Sequence, residues 1–183
     1  MRKAARSDGR VTIRPWRRRD ADALVRRIND PLVADFLDQL PHPYTHADAR
    51  AWFALANERW RDGTMAAFAI EVDGFRGPVG GVGVHFFGGL DAGGAEVGYW
   101  VAEEARGRDV ATAATLLAAA WAFESHRDLV RLQLRADVEN VASNRVAEKA
   151  GFTREGVLRA QRYNARLERR TDFALWSLLR DEV

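Results

Sequence analysis

Residues 96–112, Glu-Val-Gly-Tyr-Trp-Val-Ala-Glu-Glu-Ala-Arg-Gly-Arg-Asp-Val-Ala-Thr, join an apolar strand, a short basic turn and the start of an alanine-rich helix. A helix start presents backbone N–H groups with no intrahelical acceptor, together with the positive end of the helix dipole. Placed straight after a strand, with Arg106, Gly107 and Arg108 in the turn, those groups suit a phosphate or pyrophosphate. The plain alternative is an ordinary strand-to-helix turn. A second patterned segment, residues 140–152, reads Asn-Val-Ala-Ser-Asn-Arg-Val-Ala-Glu-Lys-Ala-Gly-Phe. It predicts a short helix over 141–149, with Asn140 as N-cap and Gly151 as a natural C′ residue.

The elements that would position these residues follow from periodicity. Residues 11–16 form a short β-rich run. Asp20 is a plausible N-cap for a helix over 21–29, which Pro31 stops. The segment 31–44 then reads as loop. Thr45 caps an amphipathic helix over 46–61 bearing Ala49, Trp52, Phe53, Ala56 and Trp60 on one face, and Gly63 ends it. Strands are expected over 66–72, 78–87, 95–101, 129–136, 152–159 and 170–179, with a hairpin at Asp73-Gly74 and a helix over 110–126. The strand–helix–strand passage from 95 to 136 implies one parallel pair in an otherwise antiparallel sheet. The six tryptophans fall at helical or strand spacing and read as core.

Composition narrows the function classes. At 183 residues, 47% hydrophobic and 30% charged, the chain suits one globular domain with a real core. We read residues 1–10 as a flexible tail and 11–183 as the domain, without internal repeat or linker. No window approaches the roughly 20 apolar residues of a membrane span, and the N-terminus lacks a signal-type run, so a cytoplasmic location is the default. Cysteine is absent, which excludes disulfides, thiolate metal sites and a cysteine nucleophile. Net charge is +2, and Lys3 and Lys149 are the only lysines. The arginine-rich stretches 14–19 and 154–170 could steer RNA, but they lack interleaved aromatics, and a solvated face is the preferred reading.

At Arg106-Gly-Arg-Asp-Val-Ala111 and across 140–152 the chain resembles the GNAT N-acetyltransferase superfamily. The first segment is similar to that family's acetyl-CoA pyrophosphate loop, the second to the helix after its fifth strand. Ile13-Arg-Pro-Trp16, Pro43-Tyr-Thr45, Glu96-Val-Gly-Tyr-Trp100 and residues 170–179 resemble the branch that acetylates N-termini of ribosomal proteins. The likeness spans residues 11–180 in order. It implies a mixed α/β domain: a mostly antiparallel sheet of about seven strands, one splayed parallel pair, and helices on both faces.

The resemblance also implies a chemistry: transfer of acetyl from acetyl-CoA to a primary amine in a ternary complex, with no metal. Arg106, Gly107, Arg108, Asp109, Val110, Ala111 and Thr112 would hold the pyrophosphate. Backbone N–H groups near Trp100 and Val101 would polarise the thioester carbonyl, Asn140 would meet the pantetheine arm as well as cap its helix, and Asn144 is a weaker cofactor candidate. Glu96 is the candidate base, directly or through water, and a solvent-exposed strand-edge charge is its plain alternative. Ser143 is the candidate hydrogen-bond donor to the sulfur, because Ala147 stands where many relatives carry tyrosine. Glu103 and Glu104 read as surface charges and Lys149 as a weaker cofactor candidate.

Asp109 stands where the family carries its central glycine. Either its side chain turns outward, or Arg106 or Arg108 offsets it, or coenzyme binding is weakened. The acceptor site would lie between the loops at 31–44 and 86–94, with His42, Tyr44, His85, Phe86 and Phe87 as lining candidates. A protein N-terminal amine is the leading acceptor and a small-molecule amine the second. A non-catalytic acyl-CoA-binding module and an RNA-binding domain are the rival classes, and a homodimer is a family expectation.

Overall fold

The computed structural model describes residues 4–37 and 39–183. Its strands are β1 (Arg6–Ser7), β2 (Val11–Pro15), β3 (Met65–Val72), β4 (Gly80–Phe86), β5 (Gly94–Val101), β6 (Arg131–Asp137), β7 (Thr153–Asn164) and β8 (Arg169–Leu179). They form one sheet in the order β1-β2-β3-β4-β5-β6-β8-β7. Beyond the expected strands, the sheet gains the two-residue β1 at its edge. That strand falls within the segment read as an N-terminal tail, of which residues 1–3 lie outside the described residues.

Among the described residues five α-helices accompany the sheet: α1 (Ala21–Ile28), α2 (Pro31–Phe36), α3 (His46–Asp62), α4 (Val110–Ser125) and α5 (Val141–Lys149). Strand β3 is buried on both faces, which explains its near-continuous apolar run. Its Ala66, Phe68 and Ile70 join the main core with Val110, Ala114 and Ala118 of α4. Met65 and Ala67 pack with Ala56 of α3 on the opposite side. Small alanines let α4 lie close to the sheet, and Trp121 fills the gap at its far end, edge-on to Phe68 at a centroid distance of 5.0 Å.

Two local expectations need correction. Pro31 does not leave a loop behind it but opens α2, since a proline at the first helical position loses no hydrogen bond. Asp30 caps that helix, accepting from Leu32 N at 2.8 Å. Asp20 makes no side-chain cap at α1. It is buried, takes a forked pair of bonds from Arg14 at 2.7 and 2.9 Å, and accepts from Arg17 N. Thr45 does cap α3, in a reciprocal box with Asp48, and Gly63 ends the helix at φ 83°.

The parallel pair shapes the site. β5 and β6 are paired only where Gly94–Glu96 face Arg131–Gln133. Beyond that point β5 stays with β4 and β6 with β8, so the two strands diverge. The edge of Val97–Val101 that faces β6 therefore has no strand partner, and its backbone groups are left for something else to satisfy.

Candidate active site

A cavity of about 590 Å3 fills the fork between β5 and β6. Glu96, Tyr99, Trp100 and Val101 of β5 line it, as do Leu134 to Asp137 of β6. The opening turn of α4 and the residues Asn140, Ser143 and Lys149 close one end. Leu32 and Phe36 of α2 and Leu37 just after it, with Gln161, Arg162 and Phe173 of β7 and β8, cover it.

The turn into α4 is built for an anion. Gly107 has φ 70°, and a Cβ placed there would meet nothing within 4 Å, so ligand atoms can come close to the backbone. Ala113 N donates to Asp109 O as the first helical bond, which leaves the amides of Val110, Ala111 and Thr112 without an intrahelical acceptor. The Val110 side chain is buried in the core and fixes that turn.

Asp109 occupies the left-handed region at φ 55°, ψ 18°, which aspartate tolerates better than most residues. Its carboxylate makes no cap bond to those amides. Neither expected arginine offsets it. Arg106 donates Nε to Val101 O and a terminal nitrogen to Asp30 Oδ2 at 2.5 Å. Arg108 lies outside the cavity lining, 5.6 Å over the Phe75 ring. The partner is Lys149, whose Nζ is 2.6 Å from Asp109 Oδ1 and holds that carboxyl below the usual carboxylate range.

At the sulfur-side candidates, Asn140 Oδ1 accepts from Ser143 N at 3.0 Å, the N-cap bond its position predicts. Ser143 Oγ is left to meet Tyr99 Oη at 2.9 Å. Burial pushes the Tyr99 phenol up to about 12, with the Ser143 bond pulling the other way. Ala147 is fully buried and contributes no polar group. Asn144 is committed elsewhere: its amide donates to Asp137 O and Asn140 O and accepts from Trp176 Nε1, and it does not line the cavity.

Glu96 lies at the branching point of the fork. Its Oε2 accepts from Gln133 Nε2 at 3.0 Å and Arg135 Nε at 2.8 Å. His85 pairs with it across β4 and β5. Packing around the imidazole holds its pKa below the ordinary value, although the residue keeps an exposed edge. The nearby Glu96 carboxylate acts in the opposite direction.

Of the other acceptor-side candidates, Tyr44 is buried among Leu24, Ile28 and Phe53, and Phe86 stacks on His126. Neither they nor His42 line the cavity, and Phe87 borders a separate neighbouring recess. The roof takes their place. Asn164 donates to Asp35 O at 2.8 Å, Arg162 to Phe36 O at 3.1 Å, and Arg166 pairs with Asp35 at 3.0 Å, clasping α2 to β7. Several arginines of 154–170 thus serve contacts within the chain rather than an open basic face.

Residues 10–153 match the family model described as the acetyltransferase (GNAT) domain. The chain belongs to the GNAT acetyltransferase family. An uncharacterized N-acetyltransferase, p20, of Bacillus licheniformis is 27% identical over 173 residues, 94% of each chain. The structure of Mycobacterium smegmatis RimJ in complex with CoA-disulfide superposes with a TM-score of 0.83 at 27% identity, over 94% of this chain and 83% of that one. The ribosomal-protein-S5-alanine acetyltransferase of Vibrio fischeri shares the fold at a TM-score of 0.86 and 18% identity, covering 98% of both chains. Among the described residues, no helix is long and apolar enough to cross a membrane.

Proposed function

We propose that this acetyltransferase moves the acetyl group of acetyl-CoA to a protein N-terminal amine, by direct attack within a ternary complex. The observation that carries the reading is the fork itself. One end offers the free amides of Val110 to Thr112, the other offers Glu96, and a single continuous cavity joins them. The diphosphate would rest on the α4 turn and the pantetheine arm along the unpaired edge of β5. The Vibrio fischeri neighbour named as a ribosomal-protein-S5-alanine acetyltransferase is in keeping with a protein acceptor. So is the clasp of α2 to β7, which roofs the cavity and suits the slender end of a chain.

In this reading the amine enters beside Glu96 and gives up a proton to it, directly or through a water. The nitrogen lone pair forms the N–C bond at the thioester carbonyl. Backbone N–H groups near Trp100 and Val101 stabilise the oxyanion. The nitrogen sheds its surplus proton to water as the C–S bond breaks, the electron pair stays on sulfur, and the Tyr99 hydroxyl steadies the departing thiolate with a hydrogen bond. Ser143 aligns that hydroxyl. An α-amino group, with a pKa of about 8, is already partly neutral at working pH, so the base has less to do than for a lysine amine.

The test is a free-thiol assay on N-terminal peptides and small amines, run beside a calorimetric titration with acetyl-CoA. Turnover on peptides is expected. Preference for a polyamine, antibiotic or amino-acid derivative would move the acceptor to the small-molecule class. Binding of acetyl-CoA with no thiol release on any amine would identify a non-catalytic module.

A further inference from the structure

We propose that Lys149 is a shared cation, which holds the Asp109 carboxylate in the empty chain and passes to the coenzyme diphosphate when the turn is filled. The inference rests on the acetyl-CoA reading above, and concerns how this chain tolerates a carboxylate in a diphosphate cradle.

Three observations lead to it. The left-handed backbone at Asp109 keeps its carboxylate off the α4 amides, so the anion site stays open although a glycine is missing. The negative charge nonetheless remains beside that site, and it would repel a diphosphate unless a cation answers it. Of the nearby cations, Arg106 is tied to Asp30 and Val101 O, Arg108 is placed over Phe75, and Arg10, which also helps to lower the Asp109 carboxyl, donates to Arg108 O. Lys149 alone among them bonds Asp109, and it lines the same cavity.

Its chemistry suits a transfer. The ammonium is a compact charge with three donors on a flexible four-carbon stem, and its side chain is about half exposed. It projects from the last turn of α5, where unsatisfied carbonyls favour a cation whether or not Asp109 is bound. When a diphosphate enters, the ammonium can trade one carboxylate for phosphate oxygens with a short swing, and Asp109 turns to solvent. A glycine in the turn would dispense with that exchange. The aspartate makes tight binding depend on a residue 40 positions away.

Calorimetric titration of CoA into the wild type, Lys149→Met, Asp109→Asn and the double variant separates the possibilities. A shared cation predicts that Lys149→Met weakens CoA about tenfold, and that Asp109→Asn tightens it a few-fold. It further predicts that adding Lys149→Met to Asp109→Asn still weakens CoA several-fold. Pantetheine, which lacks the diphosphate, should be insensitive to Lys149→Met. If Asp109→Asn and the double variant bind CoA equally, Lys149 only neutralises Asp109 and the proposal is overturned. Lys149→Arg should restore most of the affinity, which guards against a folding defect in the methionine variant. A wild type that binds no CoA would remove the acetyl-CoA reading as well, whereas the equal-affinity result would leave that reading standing.

Discussion

The hydroxyls of Tyr99 on β5 and Ser143 on α5 meet at 2.9 Å on the wall of the fork, one helical turn from the buried Ala147. The pair supplies a donor where the helix lacks one. With its pKa at about 12, Tyr99 stays protonated across the working range and can donate to a leaving sulfur. Tyr99→Phe is expected to lower kcat about 10- to 100-fold, below the usual range for acid catalysis because a thiolate leaves readily. Ser143→Ala should lose less, since it only aligns the phenol. Acetyl-CoA affinity should change little in either. An unchanged kcat in Tyr99→Phe would remove the phenol from the mechanism.

Glu96 carries both its hydrogen bonds on Oε2, from Gln133 and Arg135, so Oε1 can face an incoming amine or water. Glu96→Gln is expected to cut turnover about 100-fold near pH 7 with little effect on acetyl-CoA affinity. The deficit should narrow above pH 8, where the acceptor amine is already neutral and needs no base. A pH-independent deficit would reassign Glu96 to positioning Arg135 and Gln133.

The parts of the site encoded by neighbouring residues were legible in the sequence. The strand, turn and helix from Gly94 to Ser125, the Asn140 cap and the Thr45 box depend on contacts within a few positions. Contacts made across the fold were not. Nothing in the order of residues joins Asp109 to Lys149, Tyr99 to Ser143, or Asp35 to Asn164 and Arg166. Pro31 misled because proline both ends and begins helices, and only the cap by Asp30 settles which. Asp20 misled for a related reason: its N-cap position is real, but a buried arginine claims the carboxylate. Tyr99 did leave a signal, since it lies in the matched strand and alternation puts it on the same face as Val97 and Val101.

That buried ion pair makes a stability prediction. Arg14 and Asp20 are each 4% exposed, and Glu71 supplies a second, more open partner to the guanidinium. Asp20→Ala would strand a buried charge and also take an acceptor from Arg17 N. We expect a loss of about 3 kcal/mol in urea unfolding, at the lower end for such pairs because Glu71 remains. Replacing both partners with apolar residues, Arg14→Met with Asp20→Leu, should be less damaging than the single change. A loss under about 1 kcal/mol for Asp20→Ala would mean that water or Glu71 compensates fully.

Acid sensitivity should begin with His126 and His85. The His126 ring stacks on Phe86 at a centroid distance of 3.9 Å, and its buried Nδ1 has no hydrogen-bond partner among the described residues. Burial lowers its pKa, outweighing the influence of the Ala122 backbone, which favours the charged form. The folded chain therefore resists a proton that the unfolded chain accepts below about pH 6.5. Stability from this site is complete above that pH and is lost as pH falls through the lower folded value. His85 shifts in the same direction and adds to the slope. Carboxylates act later, Glu155 most strongly, held at about 2 by Arg131 and Ser177. Between pH 7.5 and 5 the Tm should fall by a few degrees, since 1 kcal/mol moves it by about 2–4 °C in a domain of this size. His126→Phe should keep the ring stacking and reduce that fall. An equal fall in both proteins would show that His126 is not the group being titrated.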